Sequence, residues 1–172
     1  MTTSHLTEII PDYTLAETCS GASREQILAA EAYIKADPDH KGMADYPLEH
    51  FHAANVYGRK IIIPANTIMT GMIHKHACIN VILQGEVSVA THDSVTVYTA
   101  PCTFISTPGS KRVLHTHSET HWMTFHGSGE TDLLKLQDEF VCETYEQYDR
   151  FINTQQRLTV QNGQIELFGE HI

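Results

Sequence analysis

Between residues 55 and 126 the chain falls into short apolar runs: NVYGRKIIIP, TIMTGMIH, CINVILQ, EVSVATH, SVTVYTA, CTFIST, KRVLHTH and HWMTFH. They are rich in β-branched and aromatic residues, and turn-formers separate them at PAN, QGE, HDS, AP, TPGS and SET. Short strands repeating every 8 to 12 residues or so predict an antiparallel sandwich or small barrel. VILQGEVSV and the HDS turn each read as a hairpin connection.

On either side the period changes to that of a helix. SREQILAAEAYIKAD opens with Ser23 and Gln26 at capping-box spacing and places Ile27, Ala30 and Ile34 on one face. DPDHKGMADYP after it reads as a linker loop. Beyond Gly129, ETDLLKLQDEF sets Leu133, Leu136 and Phe140 at helical spacing. TYEQYDRFI repeats the capping pattern with Thr144 and Gln147 and turns Tyr145, Tyr148 and Ile152 inward. The last stretch, QNGQIELFGEHI, reads as a short hairpin or strand. The expected organisation is an N-terminal extension with one helix over 1–47, a β-barrel over 48–129, and C-terminal helices and a tail over 130–172 packed on the barrel.

Composition narrows the class. A length of 172 residues suits one domain with a core and terminal additions. A net charge of −10 disfavours nucleic acid as a partner, because phosphate neutralisation needs a surplus of Lys and Arg. The first residues have no basic and apolar leader, and no apolar run approaches the roughly 20 residues of a membrane span. Cys19, Cys78, Cys102 and Cys142 are scattered without a C-x-x-C pair, which reads as reduced thiols in a cytoplasmic protein.

The candidate chemistry is imidazole. Seven of the twelve histidines lie between 74 and 126, among them His74-Lys75-His76 and His115-Thr116-His117. Strand alternation places His74, His76, Cys78 and Asn80 on one face, and His115 and His117 together on a later strand. Two His-x-His pairs in one β-rich segment predict a site for one divalent transition metal (Fe, Zn, Mn or Ni) on His74, His76, His115 and His117. Cys78, Asn80 and His121 are further candidates, as ligands or as partners of ligands. The same histidines also read as half-exposed strand residues with no metal. If they ligate, affinity is expected to collapse below about pH 6, where imidazole protonates. His126 is expected to be structural, Trp122 to pack in the core, and His50 and His52 to lie at the surface. Lys111 and Arg112, after Pro108-Gly109, read as binders of an anionic ligand or as a plain charged turn exit. No phosphate-cradling Gly-rich loop, G-x-S-x-G elbow or H-E-x-x-H motif occurs.

These motifs carry a resemblance to the cupins, small antiparallel jelly-roll barrels whose first motif is His-x-His, then Glu, then a Gly turn, and whose second is a Pro/Gly turn followed by His. The first corresponds here to His74, His76 and Gly85, the second to Pro108-Gly109 with His115 or His117. YGRKIIIPANTIMTGMIHKHACINVILQGEVSV with APCTFISTPGSKRVLHTHSETHW is similar to small cupin proteins of tailed phages and bacteria. The resemblance covers about residues 50 to 150. The Glu position falls on Asn80 or Cys78, depending on the anchor, so the usual carboxylate ligand is missing. What remains resembles the neutral three-histidine ferrous sites of thiol dioxygenases, while a Cys78 thiolate favours a softer ion such as Zn. The resemblance implies a homodimer and a small polar or anionic ligand. Three functions stay open: a metal-dependent oxygenase, isomerase or lyase; a metal-free sensor or sequestering module; and a structural oligomerisation protein.

Overall fold

In the computed structural model, which describes residues 19–161, all eight runs are strands. They are β3 (Val56–Ile63), β4 (Ile68–Thr70), β6 (Cys78–Gln84), β7 (Glu86–Ala90), β8 (Ser94–Thr99), β9 (Cys102–Ser106), β10 (Val113–Thr116) and β11 (Thr120–Gly127). One sheet has the order β3-β11-β6-β9, the other β8-β7-β10-β4, all pairs antiparallel. That interleaving is a jelly roll. β2 (Leu48–Ala53) extends the first sheet beside β3, and β1 (Cys19–Ser20) extends the second beside β8.

The HDS turn joins paired strands as expected, but VILQGEVSV does not form a hairpin. β6 and β7 belong to different sheets, and Gly85 between them makes the corner at φ +92°. A Cβ there would lie 2.3 Å from the Glu119 carbonyl oxygen, so only glycine fits.

Alternation divides the barrel interior into two halves. Ile61, Ile63, Met69, Ile82, Val87, Val89, Leu114 and Trp122 form an apolar core. Toward the other end the inward positions turn polar: Cys78 and Asn80 on β6, Ser106 on β9, Thr124 and His126 on β11, and Arg112 before β10.

Both helical flanks pack on this barrel. Helix α1 (Arg24–Lys35) starts at the predicted capping box and buries Ile27, Ala30 and Ile34 against Val113 and Ile68, on the outer face of the second sheet. Helix α2 (Leu133–Phe140) sets Leu136 and Phe140 on Tyr57 at the polar end, while Leu133 stays exposed. The short strand β12 (Val141–Cys142) pairs with β5 (Ile73–His74), and α3 (Tyr145–Gln161) follows with Tyr145 and Tyr148 buried on Ile73. The strand read for QNGQIELFGEHI falls, past Gln161, outside the described residues. No helix among the described residues is long and apolar enough to cross a membrane.

Candidate metal and anion site

The run TIMTGMIH breaks into β4 and β5 because β12 pairs with His74 and Ile73, and a bend over 75–77 precedes β6. Lys75 fixes that bend: its N–H donates to Phe140 O at 2.8 Å, and its Nζ donates to Asp138 O. The bend breaks the expected alternation. His74 and Cys78 both point into the barrel, while His76 turns out to solvent, edge-on to Phe151 at 5.5 Å.

His74, Cys78 and His126 bring one donor atom each to within 4.8 Å of one another, and all three are buried. His74 Nδ1 lies 3.4 Å from Cys78 Sγ. The His126 ring stacks between Phe140 at 4.1 Å and His74 at 5.9 Å, and its Nδ1 is buried without a hydrogen-bond partner. The sequence alone makes His126 structural; the topology makes it part of the donor group, since β11 pairs with β6 and the Phe125–Ile79 register brings His126 beside Cys78.

The other expected ligands are not in this group. Leu114 points into the barrel core and Val113 onto helix α1, so His115 and His117 share the outer face of the second sheet. There the two rings meet at 4.8 Å, and His117 Nε2 lies 2.7 Å from Ser88 Oγ. His121 faces outward against Glu119 at 3.0 Å. Lys111 is buried but points away from the site, to Glu31 of α1 at 3.0 Å and to the Gly71 carbonyl at 3.0 Å. Its charge docks the helix and is not available to a ligand.

Asn80, at one of the two places where the cupin motif would put a carboxylate, is a fully buried hydrogen-bond hub. Its Nδ2 donates to Ser106 Oγ at 2.7 Å and Cys78 O at 3.2 Å, and its Oδ1 accepts from Trp122 Nε1 at 3.0 Å and Thr124 Oγ1 at 3.4 Å. The position demands two donors as well as an acceptor, which an amide supplies and a carboxylate does not.

Arg112 completes the polar end. Its Nη2 donates to Ser106 Oγ, its guanidinium lies 5.5 Å above the Trp122 ring, and Cys78 lies close enough to act on its charge. By alternation Arg59 shares the inward face of Tyr57 and Ile61. Burial lowers the pKa of both guanidinium groups, yet they start high enough to stay charged. Burial also holds His74 down to about 2 and His126 to about 4, with Arg112 and Arg59 adding repulsion to each. Both imidazoles therefore stay neutral well below pH 6.

The turn before Arg112 is held by His74 itself. Gly109 N–H donates to His74 O at 2.7 Å, and His74 N–H donates to Ser110 O at 3.2 Å. Gly109 sits at φ +79°, where a Cβ would come within 2.9 Å of the Tyr148 ring. Gly109→Ala is expected to cost about 1–3 kcal/mol in a urea melt, from the left-handed backbone together with the displaced ring.

No family model matches the chain, and no curated protein matches it significantly. Among the solved structures that align with part of it are several cupin-domain proteins. A cupin-2 domain protein from Shewanella frigidimarina aligns at 8% identity and TM-score 0.41, over 47% of this chain and 79% of its own. A cupin 2 conserved barrel domain protein from Salinispora arenicola aligns at 11% identity and TM-score 0.40, over 47% and 75%. An acetylacetone dioxygenase from Acinetobacter johnsonii aligns at 11% and 0.39, over 46% of this chain and 58% of its own. At these scores the likenesses carry nothing about chemistry, and the jelly roll rests on the chain's own strand order.

Proposed function

We propose that this chain is a divergent cupin that holds one divalent metal, Zn(II) by preference, on His74, Cys78 and His126, and acts on or binds a small anionic molecule there. The observation that carries this is the His126 Nδ1: a buried ring nitrogen without a partner, beside a second neutral imidazole and a thiol. Two nitrogen donors and one sulfur suit Zn(II) better than harder ions, and three protein ligands leave a coordination position open. Bound there, the metal would act as a Lewis acid on a ligand oxygen or lower the pKa of a bound water. Asn80 Nδ2, 3.8 Å from Cys78 Sγ, would orient the sulfur, and Phe140 covers the His126 face. A reducing compartment, hence the cytoplasm, is part of this reading because Cys78 ligates only as a free thiolate; it is a free cysteine here.

Untagged protein is expected to carry about one equivalent of zinc by elemental analysis. Co(II) exchanged into the site should show a thiolate-to-cobalt charge-transfer band. Cys78→Ser should lose that band, and His126→Gln should lose most of the metal. His115→Ala and His117→Ala should keep both. Wild-type protein that takes up no Zn, Fe, Mn or Ni would end the metal reading and leave a metal-free binding module.

A further inference from the structure

The polar end of the barrel has a charge problem that the metal reading sharpens. Among the described residues no Asp or Glu is buried, while Arg112 is 8% exposed and no carboxylate pairs with it or with Arg59. A divalent ion on a single thiolate would add further positive charge. A buried cation without a counter-charge is costly, and water hydrates it without neutralising it.

The hydrogen-bond inventory points to the same missing partner. A cavity of about 100 Å³ opens between the turn after β7 and the loop after β9, lined by Ser106, Ser110, Arg112, Tyr98, Phe104 and Asp93 among others. Ser110 Oγ is buried there with no partner. Ser106 Oγ accepts from both Asn80 and Arg112, so its own hydroxyl proton is left to donate. Arg112 has five N–H donors, and among the described residues the hydrogen bond it makes is to Ser106 Oγ. N–H and O–H donors there are left without partners. Asp93, the acidic residue on the rim, lies 3.1 Å from His92 with 59% of its side chain exposed, and so remains in solvent.

We infer that this cavity is a carboxylate subsite: Arg112, Ser106 and Ser110 together take the carboxylate of a small monocarboxylic acid whose short apolar body lies against Tyr98 and Phe104. A planar guanidinium fork fits a carboxylate with two parallel hydrogen bonds, and the two serine hydroxyls add donors to the same oxygens. A volume of about 100 Å³, several times the 10–15 Å³ or so that a single water needs, leaves room for an acid of a few carbons. The stacked rings of Tyr98 and Phe104, 4.0 Å apart, give the chain an apolar wall. This deepens the reading of the barrel end as a small-molecule site, and it does not require that the metal be present.

The test uses full-length protein treated with a chelator, with sodium acetate, sodium butyrate, butyramide and inorganic phosphate as probes. Trp122 is the sole tryptophan, and Arg112 lies over its ring, so its emission reports occupancy alongside calorimetry. Butyrate should bind saturably and more tightly than acetate, and butyramide, its neutral isostere, should not bind. Arg112→Gln should weaken butyrate by about tenfold or more, and Ser110→Ala by roughly three- to tenfold. Ser110→Ala removes an oxygen that has no partner, so it should fold as the wild type does and keeps the test valid if Arg112→Gln misfolds. No saturable carboxylate binding would overturn the inference, leaving the cavity to water. Binding unchanged in Ser110→Ala, or phosphate bound in preference to butyrate, would overturn it equally. Because the protein is metal-free, butyrate binding that survives a failure to load zinc would sink the metal site alone. Zinc loading without butyrate binding would sink the subsite alone.

Discussion

Between pH 6 and pH 4 the metal-free protein is expected to lose up to about 2.7 kcal/mol of stability for each pH unit, from two histidines alone. Burial is the largest cause of the low values of His74, about 2, and His126, about 4. Unfolded, both rings return to an ordinary value near 6.5. The sign follows from which state takes up protons. Above pH 6.5 both states carry neutral rings and neither histidine affects stability. As the pH falls through that value, the unfolded chain binds two protons that the folded chain refuses, so stability drops. For His126 the loss levels off near pH 4, and for His74 it continues toward pH 2. Over the two and a half units from 6.5 to 4 the sum reaches about 5–6 kcal/mol, comparable to the whole stability of a typical domain. The carboxylates whose values are lowered, such as Glu31 and Glu130, act only below about pH 4.5, so the window from 6 to 4.5 isolates the histidines. Urea melts at pH 7, 6 and 5 measure the slope, and His126→Gln should halve it. A flat profile over this range would mean that both rings are protonated in the fold, and would remove the ground for neutral imidazole ligands.

Glu31→Ala is expected to destabilise the protein by about 3–5 kcal/mol, far more than a surface ion pair would. Lys111 has only 2% of its side chain exposed, and Glu31 15%, so the pair is shielded from water. Removing Glu31 leaves the ammonium group with the Gly71 carbonyl alone. The helix then stays docked by Ile27, Ala30 and Ile34 against a buried uncompensated charge. Replacing both members with apolar residues, Glu31→Leu with Lys111→Met, should recover most of the loss, because it removes the desolvation penalty together with the attraction. A double-mutant cycle on chemical denaturation checks this. A cost for Glu31→Ala below about 1 kcal/mol would show that Lys111 is solvated and free for a ligand after all.

The two adjacent cations after Pro108-Gly109 show where sequence reading stops. Both were legible as charged residues leaving a turn. Strand alternation sends Arg112 into the barrel and Lys111 onto the helix side, and only the register of β10 between β7 and β4 tells which is which. One became a candidate anion binder and the other a helix anchor. Likewise the His-x-His spacing was visible, but the pairing of β5 with β12 bends the chain after His74 and turns His76 outward. That contact spans more than sixty residues, and no local pattern encodes it.

By itself the sequence determined the local layer. Its period-two runs, separated by turn-formers, became eight strands, and its capping boxes at Ser23 and Thr144 became helix starts, because strand alternation and helix capping depend on residues a few positions apart. The tertiary structure alone decided the site. Donors from β5, β6 and β11 converge on one buried point, and a serine, an arginine and a cavity meet beside it. Convergence of that kind depends on which strand lies next to which, a property of the jelly roll as a whole and not of any stretch of the chain.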